Sequence, residues 1–269
     1  NYRSTQRILD AANHVIANNR QRHEKRLWTA NGEGDPIHQY IAEDEHQEAF
    51  FIVDEIRKHV REGRPYGDFA ILYRTNAQSR VLEETLMKAN IPYRMVGGIR
   101  FYERMEIKDL IAYLRLVVNP EDEWSLERVI NVPKRGIGET SLEKFKTYAR
   151  ENQVPLFAAL KHPEAAGVGG KAAKEARQFA ELIAELGRMS EYLSASEMIE
   201  EVLTRSGYRD SLVQQNTLES QGRLENLDEF MNVAVEFENR SETTTLLDFL
   251  TDLALLTDLD TQPQESGDS

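Results

Sequence analysis

The sequence predicts a mixed fold, in which a partial α/β domain with a parallel sheet is followed by an all-α domain. Over about the first hundred residues, apolar runs typical of buried strands alternate with helical patterns. From about residue 103 onward, one helical pattern follows another. The 269 residues also exceed the usual size of one domain, which favours two domains over one.

The first part contains three helical patterns and two clear strand patterns. Helices are predicted at about 4–18, 49–60 and 81–89, with strands at 69–73 and 93–96 and a weaker strand at 37–42. The run from Phe69 to Tyr73 is unbroken, as expected of a strand that is covered on both faces. The predicted sheet is too small to be complete.

The second part is predicted to be helical throughout. Its apolar spacing gives helices at about 104–118, 122–131, 139–151, 172–205, 218–238 and 245–258. Residues 262–269 are rich in Pro, Gly, Ser and Asp, which is typical of a frayed end or a cut surface loop. The predicted domains are therefore 1–102 and 103–261.

Composition excludes several classes of protein. The chain has no cysteine, so disulfide frameworks and thiolate metal sites are excluded and a reducing, cytoplasmic location is favoured. Its six histidines are scattered along the sequence, so no metal site is expected. No apolar stretch approaches the roughly 20 residues of a membrane helix, so no membrane partner is expected. The net charge of −13 argues against bulk electrostatic coating of nucleic acid, so any DNA contact must be local.

An aromatic and a cation precede the first predicted helix. The ring of Tyr2 can stack on a base, and the guanidinium of Arg3 offers a planar fork to phosphate oxygens. The alternative is a terminal ring that packs on its own helix beside a solvated arginine.

Polar side chains follow the predicted strand at 69–73. Arg74, Thr75 and Asn76 lie where ligands collect in parallel sheets, and they suit phosphate or sugar oxygens. An ordinary turn capped by Thr75 or Asn76 is the alternative.

Rings and cations alternate in residues 91–109, as a surface that follows a nucleic-acid strand requires. The candidates are Arg100, Phe101, Arg104 and Lys108. Nearby carboxylates leave open the alternative of a helix start that is held by salt bridges.

A basic, glycine-containing turn lies between two predicted helices. Glycines let backbone amides approach a phosphate, and the following helix directs its positive end there. Residues 128–150 carry six basic and two acidic side chains, a local charge of +4. The candidates are Lys134, Arg135, Gly136, Ile137, Gly138 and Thr140. A plain corner between helices is the alternative.

Together these four segments, in this order, resemble superfamily 1 DNA helicases of the UvrD/PcrA/Rep family over essentially the whole chain. The opening NYRS, then LYRTNAQSR, GGIRFYERMEIKD and the Gly136-Ile137-Gly138 turn carry the resemblance. It implies that 1–102 is part of the RecA-like motor domain 2A, and that 103–261 is the helical, duplex-contacting domain 2B.

The resemblance also implies roles for individual residues. Tyr2 would stack on the adenine of ATP, and Arg3 would contact its γ-phosphate as the catalytic arginine. Residues 74–76 would lie near single-stranded DNA, and residues 134–140 would touch the duplex backbone. The region 97–108 matches without a firm role for each residue.

The sequence also departs from the family pattern, because it contains no phosphate loop and no strand with the acidic pair that binds Mg²⁺. We therefore expect a fragment that is inactive alone and needs domains 1A, 1B and the rest of 2A, with Mg²⁺ held by those segments. The implied activity is ATP-driven 3′ to 5′ movement on DNA in repair or replication. Two alternatives remain: the motor of a helicase-nuclease recombination subunit, and a non-catalytic DNA-binding or protein-docking module.

Overall fold

The computed structural model describes residues 3–19 and 26–261, and helices supply the regular structure within these ranges. The predicted helices are present at nearly the predicted places. The helices are α1 (Gln6–Ala17), α2 (Glu45–Arg61), α3 (Ser79–Lys88), α4 (Met105–Val118), α5 (Glu123–Val129), α6 (Glu139–Asn152), α7 (Leu156–Ala159), α8 (Gly170–Met189), α9 (Ala195–Arg205), α10 (Tyr208–Gln215), α11 (Leu218–Arg240) and α12 (Leu246–Thr261).

The predicted parallel sheet is wrong: residues 3–19 and 26–261 contain no β-strand. The run at 69–73 begins at Phe69 with an extended backbone, but among the described residues 70–73 form no backbone–backbone hydrogen bond. Only one of its faces is covered, because Phe69 and Ile71 pack on a small cluster while Leu72 is 94% exposed. The unbroken apolar run therefore does not reflect burial on two faces, because alternate residues pack on helices instead of on another strand.

The long predicted helix at 172–205 is two helices, α8 and α9. Ser194 ends the break between them, and its hydroxyl accepts from the backbone amide of Glu197 while the Glu197 carboxylate accepts from the amide of Ser194. Such a reciprocal cap starts a new helix. The short helices α7 and α10 were not predicted.

The main hydrophobic core surrounds α4. Ile107, Leu114 and Leu116 are fully buried, and α5, α8, α9 and α11 all pack against this helix. A smaller cluster joins α2 and α3 through Val53, Ile56 and Leu86, among others. Because these four helices all pack closely against α4, that helix fixes their positions in the core.

The chain divides into two compact units, one that ends at Phe51 and one that begins at Ile52. The predicted boundary between residues 102 and 103 stays a prediction, and the predicted tail at 262–269 lies outside the described residues. None of the helices in the described ranges combines the length and the apolar character that crossing a membrane requires.

Candidate functional site

Arg3 is exposed and lies two residues before the N-cap of α1, whereas Tyr2 lies outside the described residues. The first amides of α1 are occupied, because the amide of Gln6 donates to the Gly32 carbonyl at 3.1 Å and that of Arg7 to the Glu33 carbonyl at 3.0 Å. This helix end therefore offers little to a phosphate through its backbone. The group that it can offer is the side chain of Arg3.

The segment around Gly34 fixes the start of α1. Gly34 has a φ of +79°, and a Cβ on it would lie 2.2 Å from the Thr5 hydroxyl oxygen. The Asn31 side chain donates to the Ser4 carbonyl at 3.2 Å. Only glycine fits both the backbone conformation and the close approach, so this segment sets the backbone that leads into Arg3.

The turn at residues 74–76 has the cap that the alternative interpretation expected. The Gln78 side-chain oxygen accepts from the backbone amides of Arg74 and Thr75, at 2.8 and 3.1 Å. The side chains of Arg74, Thr75 and Asn76 are nevertheless exposed. Capping and ligand binding are therefore compatible here, because the cap uses backbone amides and the Thr75 hydroxyl and leaves the side chains of Arg74 and Asn76 to the solvent.

Arg104, a predicted DNA-binding residue, is buried. Its guanidinium donates to the Asn76 carbonyl at 3.0 Å, to the Asn226 side-chain oxygen at 3.0 Å and to the Ser79 hydroxyl at 2.8 Å. Burial lowers the pKa of Arg104, and the charge of Glu83 opposes this effect. A DNA phosphate would have to displace internal partners, so the geometry favours a supporting role.

The other candidates in this region differ in exposure. Phe101 is only 1% exposed and packs in the main core, which makes it an unsuitable platform for a base. Arg100 is half-buried, with its guanidinium 5.2 Å from the centre of the Tyr93 ring. Lys108 is exposed on α4. The outward cations of this segment are therefore Arg100 in part and Lys108.

Arg80 lies in a cluster of charges that the sequence did not reveal. It is fully buried and pairs with Glu229 at 2.7 Å, Glu236 at 2.7 Å and Glu84 at 3.2 Å. Burial would lower its pKa, but these carboxylates outweigh it and raise the pKa. Arg80 is thus a structural cation that joins α3 to α11.

Arg135 lies inside the basic turn. Its guanidinium donates to the Tyr113 hydroxyl at 2.6 Å and to the carbonyls of Val129 and Ser206, both at 3.1 Å, and it lies 4.9 Å from the centre of the Phe179 ring. Arginine is well suited to such a site, because its fork serves several acceptors at once. Arg135 therefore supports the turn from within.

The neighbouring residues of the turn form an outward surface. Lys134 and Thr140 are exposed, as are Gly136 and Gly138, whereas Ile137 is 2% exposed and anchors the turn. Gly138 caps α6 without a side chain, and within the described chain the amides of residues 139–141 make no backbone hydrogen bond. A cation beside a row of amides at a helix start suits a phosphate.

The local positive charge is smaller than the sequence suggested. Arg128 pairs with Asp109 at 2.9 Å, and Lys146 pairs with Glu127 and Glu143 at 3.0 and 3.1 Å. Lys134 has no ion-pair partner within residues 3–19 and 26–261. It is therefore the cation of this turn most available to a ligand.

Sequence reasoning missed the acceptors that hold these arginines. Asn226, Glu229 and Glu236 lie more than a hundred residues from Arg80 and Arg104 along the chain. Their spacing on α11 places them on one face of that helix. This spacing was visible in the sequence, but nothing in it indicated which residues that face meets.

Comparison with known proteins gives a consistent result. A family model described as the UvrD-like helicase C-terminal domain matches residues 1–268. The chain is 53% identical over 269 residues to the ATP-dependent DNA helicase PcrA of Staphylococcus aureus, a match that covers 99% of this chain and 37% of the relative. It is 52% identical to PcrA of Staphylococcus epidermidis, with the same coverage of both chains.

The chain thus spans about 37% of the length of the curated relatives that it matches. The resemblance to the UvrD/PcrA/Rep family that its four motifs predicted is confirmed. The chain belongs to the UvrD-like helicase C-terminal domain family.

Proposed function

We propose that this chain is the C-terminal motor portion of an ATP-dependent DNA helicase that translocates 3′ to 5′ and acts in DNA repair or replication. The observation that carries the proposal is 53% identity, across 99% of the chain, to a protein named ATP-dependent DNA helicase PcrA. The chain contributes one side of the ATP site and part of the DNA-binding surface. Its partners are single-stranded and duplex DNA and the remaining segments of the same helicase, domains 1A, 1B and the rest of 2A, in the cytoplasm.

In the ATP site, Arg3 contacts the γ-phosphate and Tyr2 stacks on the adenine. The exposed guanidinium of Arg3 fits this role, since it offers a fixed, always-charged fork that can stabilise charge on the transferred phosphoryl group. The first amides of α1 are already bonded to residues 32 and 33, so the remaining grip on the phosphates comes from other segments. The same segments supply the Mg²⁺ ligands.

On single-stranded DNA, the contacts come from the exposed side chains of Arg74, Thr75 and Asn76. A cation followed by a hydroxyl and an amide suits phosphate and sugar oxygens without reading the bases. Such sequence-tolerant binding is what a motor that moves along DNA requires. Arg100 and Lys108 add positive charge, whereas Arg104 and Phe101 act from inside the protein.

On duplex DNA, the contacts come from the turn at 134–140. Lys134 supplies charge, the first amides of α6 and the Thr140 hydroxyl supply donors, and the exposed glycines leave room for the phosphate backbone. Arg135 and Ile137 hold the turn in shape. Because the chain carries a charge of −13, binding is confined to this small surface.

The test is strand separation by the full-length protein that contains this chain. A duplex with a 3′ single-stranded tail is mixed with protein, and release of one strand is followed with and without ATP and Mg²⁺. We expect release that requires ATP, and the same protein should fail on a duplex with only a 5′ tail. DNA binding that is unaffected by nucleotide, with no strand release on either substrate, would instead indicate a non-catalytic DNA-binding module.

A further inference from the structure

One guanidinium joins the predicted DNA-contacting turn to the long helix α11. The Nη1 atom of Arg104 donates both to the Asn76 carbonyl and to the Asn226 side-chain oxygen, each at 3.0 Å. Asn76 belongs to the turn and Asn226 to α11, 150 residues later in the sequence. A single nitrogen therefore bridges the two elements.

The other donors of Arg104 hold the surroundings of the turn. Its Nη2 donates to the hydroxyl of Ser79, the first residue of α3, at 2.8 Å, and its Nε donates to the Ile99 carbonyl at 3.2 Å. The side chain is only 6% exposed, so these bonds are sheltered from water and correspondingly strong. The turn cannot move relative to α11 without breaking at least one of them.

Asn226 is itself held in place. Its side-chain amide donates to the Glu106 carboxylate on α4 at 2.6 Å, and only 4% of the residue is exposed. This bond orients the amide so that its oxygen faces Arg104. Asn226 is too deeply buried to contact DNA, so any effect of Asn226 on DNA binding must pass through another residue.

A second buried arginine, Arg80, also connects α3 to α11, and it directly follows Ser79 in the sequence. Arg80 pairs with Glu229 and Glu236, which share one face of α11 with Asn226 because they follow it by three and ten residues. Two buried cations, Arg80 on α3 and Arg104 at the N-cap of α4, thus meet one face of α11. The turn and the start of α3 are fixed to that helix as one piece.

We propose that Arg104 is a positioning residue through which α11 sets the geometry of the DNA-contacting turn at 74–76. The proposal rests on the proposed function of that turn. DNA held at the turn and the position of α11 are then linked, so that a shift of α11 changes affinity for single-stranded DNA. By the reciprocity of linked equilibria, DNA binding also favours one position of α11.

The test compares single-stranded DNA binding by variants of the full-length protein, with oligothymidylate as the probe and fluorescence anisotropy as the readout. Asn226→Ala removes the acceptor for Arg104 and should weaken binding by about five-fold or more. Tyr208→Phe is the matched control, since it deletes a buried hydrogen bond to a carboxylate on α4, that of Asp109, at 2.8 Å.

Hydrogen exchange of the Gln78 amide, which is bonded to the Thr75 carbonyl at 3.1 Å, provides a second readout without DNA. It should accelerate in Asn226→Ala and remain unchanged in Tyr208→Phe. If Asn226→Ala does not fold, Arg104→Lys takes its place, since lysine keeps the charge but cannot hold all four acceptors, and the same acceleration is expected. Unchanged exchange in the variant that folds overturns the proposal.

The variant Arg74→Ala distinguishes failure of the proposed DNA contact at the turn from failure of the proposed link between the turn and α11. If Arg74→Ala leaves oligothymidylate binding unchanged, the turn is not a DNA contact and the proposed function of the turn fails. If Arg74→Ala weakens binding but Asn226→Ala does not, the turn binds DNA and the link to α11 is refuted. Equal weakening by Asn226→Ala and Tyr208→Phe would also refute the link, because loss of stability would then explain both.

Discussion

The guanidinium of Arg135 donates a hydrogen bond of 2.6 Å to the hydroxyl of Tyr113, inside the turn that we propose to contact duplex DNA. That hydroxyl in turn donates to the Val132 carbonyl, and burial raises the pKa of Tyr113 to about 12 despite the opposing charge of Arg135. The two adjacent cations of the turn therefore differ: Lys134 faces the solvent, whereas Arg135 faces the interior.

Substitution should separate the two roles. Arg135→Ala removes the hydrogen bonds of the guanidinium to the Tyr113 hydroxyl and to partly buried backbone carbonyls, and it should lower the free energy of unfolding by about 3 kcal/mol. Lys134→Ala should leave stability unchanged, because this exposed side chain has no ion-pair partner within the described ranges. Chemical denaturation of both variants checks this. Equal stability of Arg135→Ala and the parent would contradict the internal role.

Lys134→Ala should weaken duplex binding and reduce its dependence on salt. Each phosphate contact that is lost lowers the slope of log affinity against log salt by about 0.9. The measurement is duplex binding at several salt concentrations, with Lys88→Ala, an exposed lysine at the end of α3, as the control. A slope that stays at the parental value in Lys134→Ala would remove the turn from the DNA-binding surface.

Arg80→Met should destabilise the protein strongly. The substitution leaves the carboxylates of Glu84, Glu229 and Glu236 without their shared cation, at an expected loss of about 3–5 kcal/mol. Arg209→Met is the matched control, because Arg209 also pairs with two carboxylates but its side chain is 27% exposed. The free energy of unfolding of Arg209→Met should fall by less than about 1 kcal/mol. Similar losses in the two variants would show that burial of Arg80 adds nothing.

Gly34→Ala should loosen the start of α1. Its positive φ and the 2.2 Å approach to Thr5 leave no space for a methyl group, so the backbone must shift at a loss of about 1–3 kcal/mol. Hydrogen exchange of the Gln6 and Arg7 amides should accelerate, because both are bonded to residues 32 and 33. Gly32→Ala, where a methyl group meets nothing within 4 Å, should leave exchange unchanged. Slow exchange in Gly34→Ala would contradict this account.

Glu83 should make stability depend on pH. Burial raises its pKa above the ordinary value of 4.5, although the hydroxyl of Ser79 donates to it at 2.7 Å. The folded state therefore binds this proton more tightly than the unfolded state, and the stability that it contributes is lost as the pH rises through the folded pKa. Because glutamine does not titrate, the free energy of unfolding of Glu83→Gln relative to that of the parent should increase as the pH rises from about 4 to about 7. If the difference in free energy of unfolding between the two proteins stays constant or falls over this range, the Glu83 carboxylate is not desolvated.

The sequence allowed the helices to be predicted, because apolar spacing at 3.6 residues is a local property that each helix carries alone. The sheet could not be predicted in this way, since a strand exists only with a hydrogen-bonding neighbour. Residues 69–73 have the apolar content of a strand, yet Phe69 and Ile71 pack on helices.

The candidate site was predictable as a set of segments but not as a set of exposed side chains. Lys134 and Arg135 are adjacent and both basic, so the sequence alone gives no reason to assign one to the solvent and the other to the interior. The partners that decide it, Tyr113 and the Ser206 carbonyl, are brought to Arg135 by the packing of distant helices. The same holds for Arg104, whose partner Asn226 follows it by 122 residues.

The central claim is that this chain completes an ATP site through Arg3, and ATP hydrolysis by the full-length protein with Arg3→Ala tests it most directly. Arg7→Ala is the control, because Arg7 lies in the first turn of α1 and pairs with Glu33 at 3.0 Å. We predict that DNA-stimulated hydrolysis falls by about a thousand-fold or more in Arg3→Ala. Affinity for single-stranded DNA should stay near the parental value, and Arg7→Ala should hydrolyse ATP normally. Hydrolysis by Arg3→Ala within a few-fold of the parental rate would contradict the account.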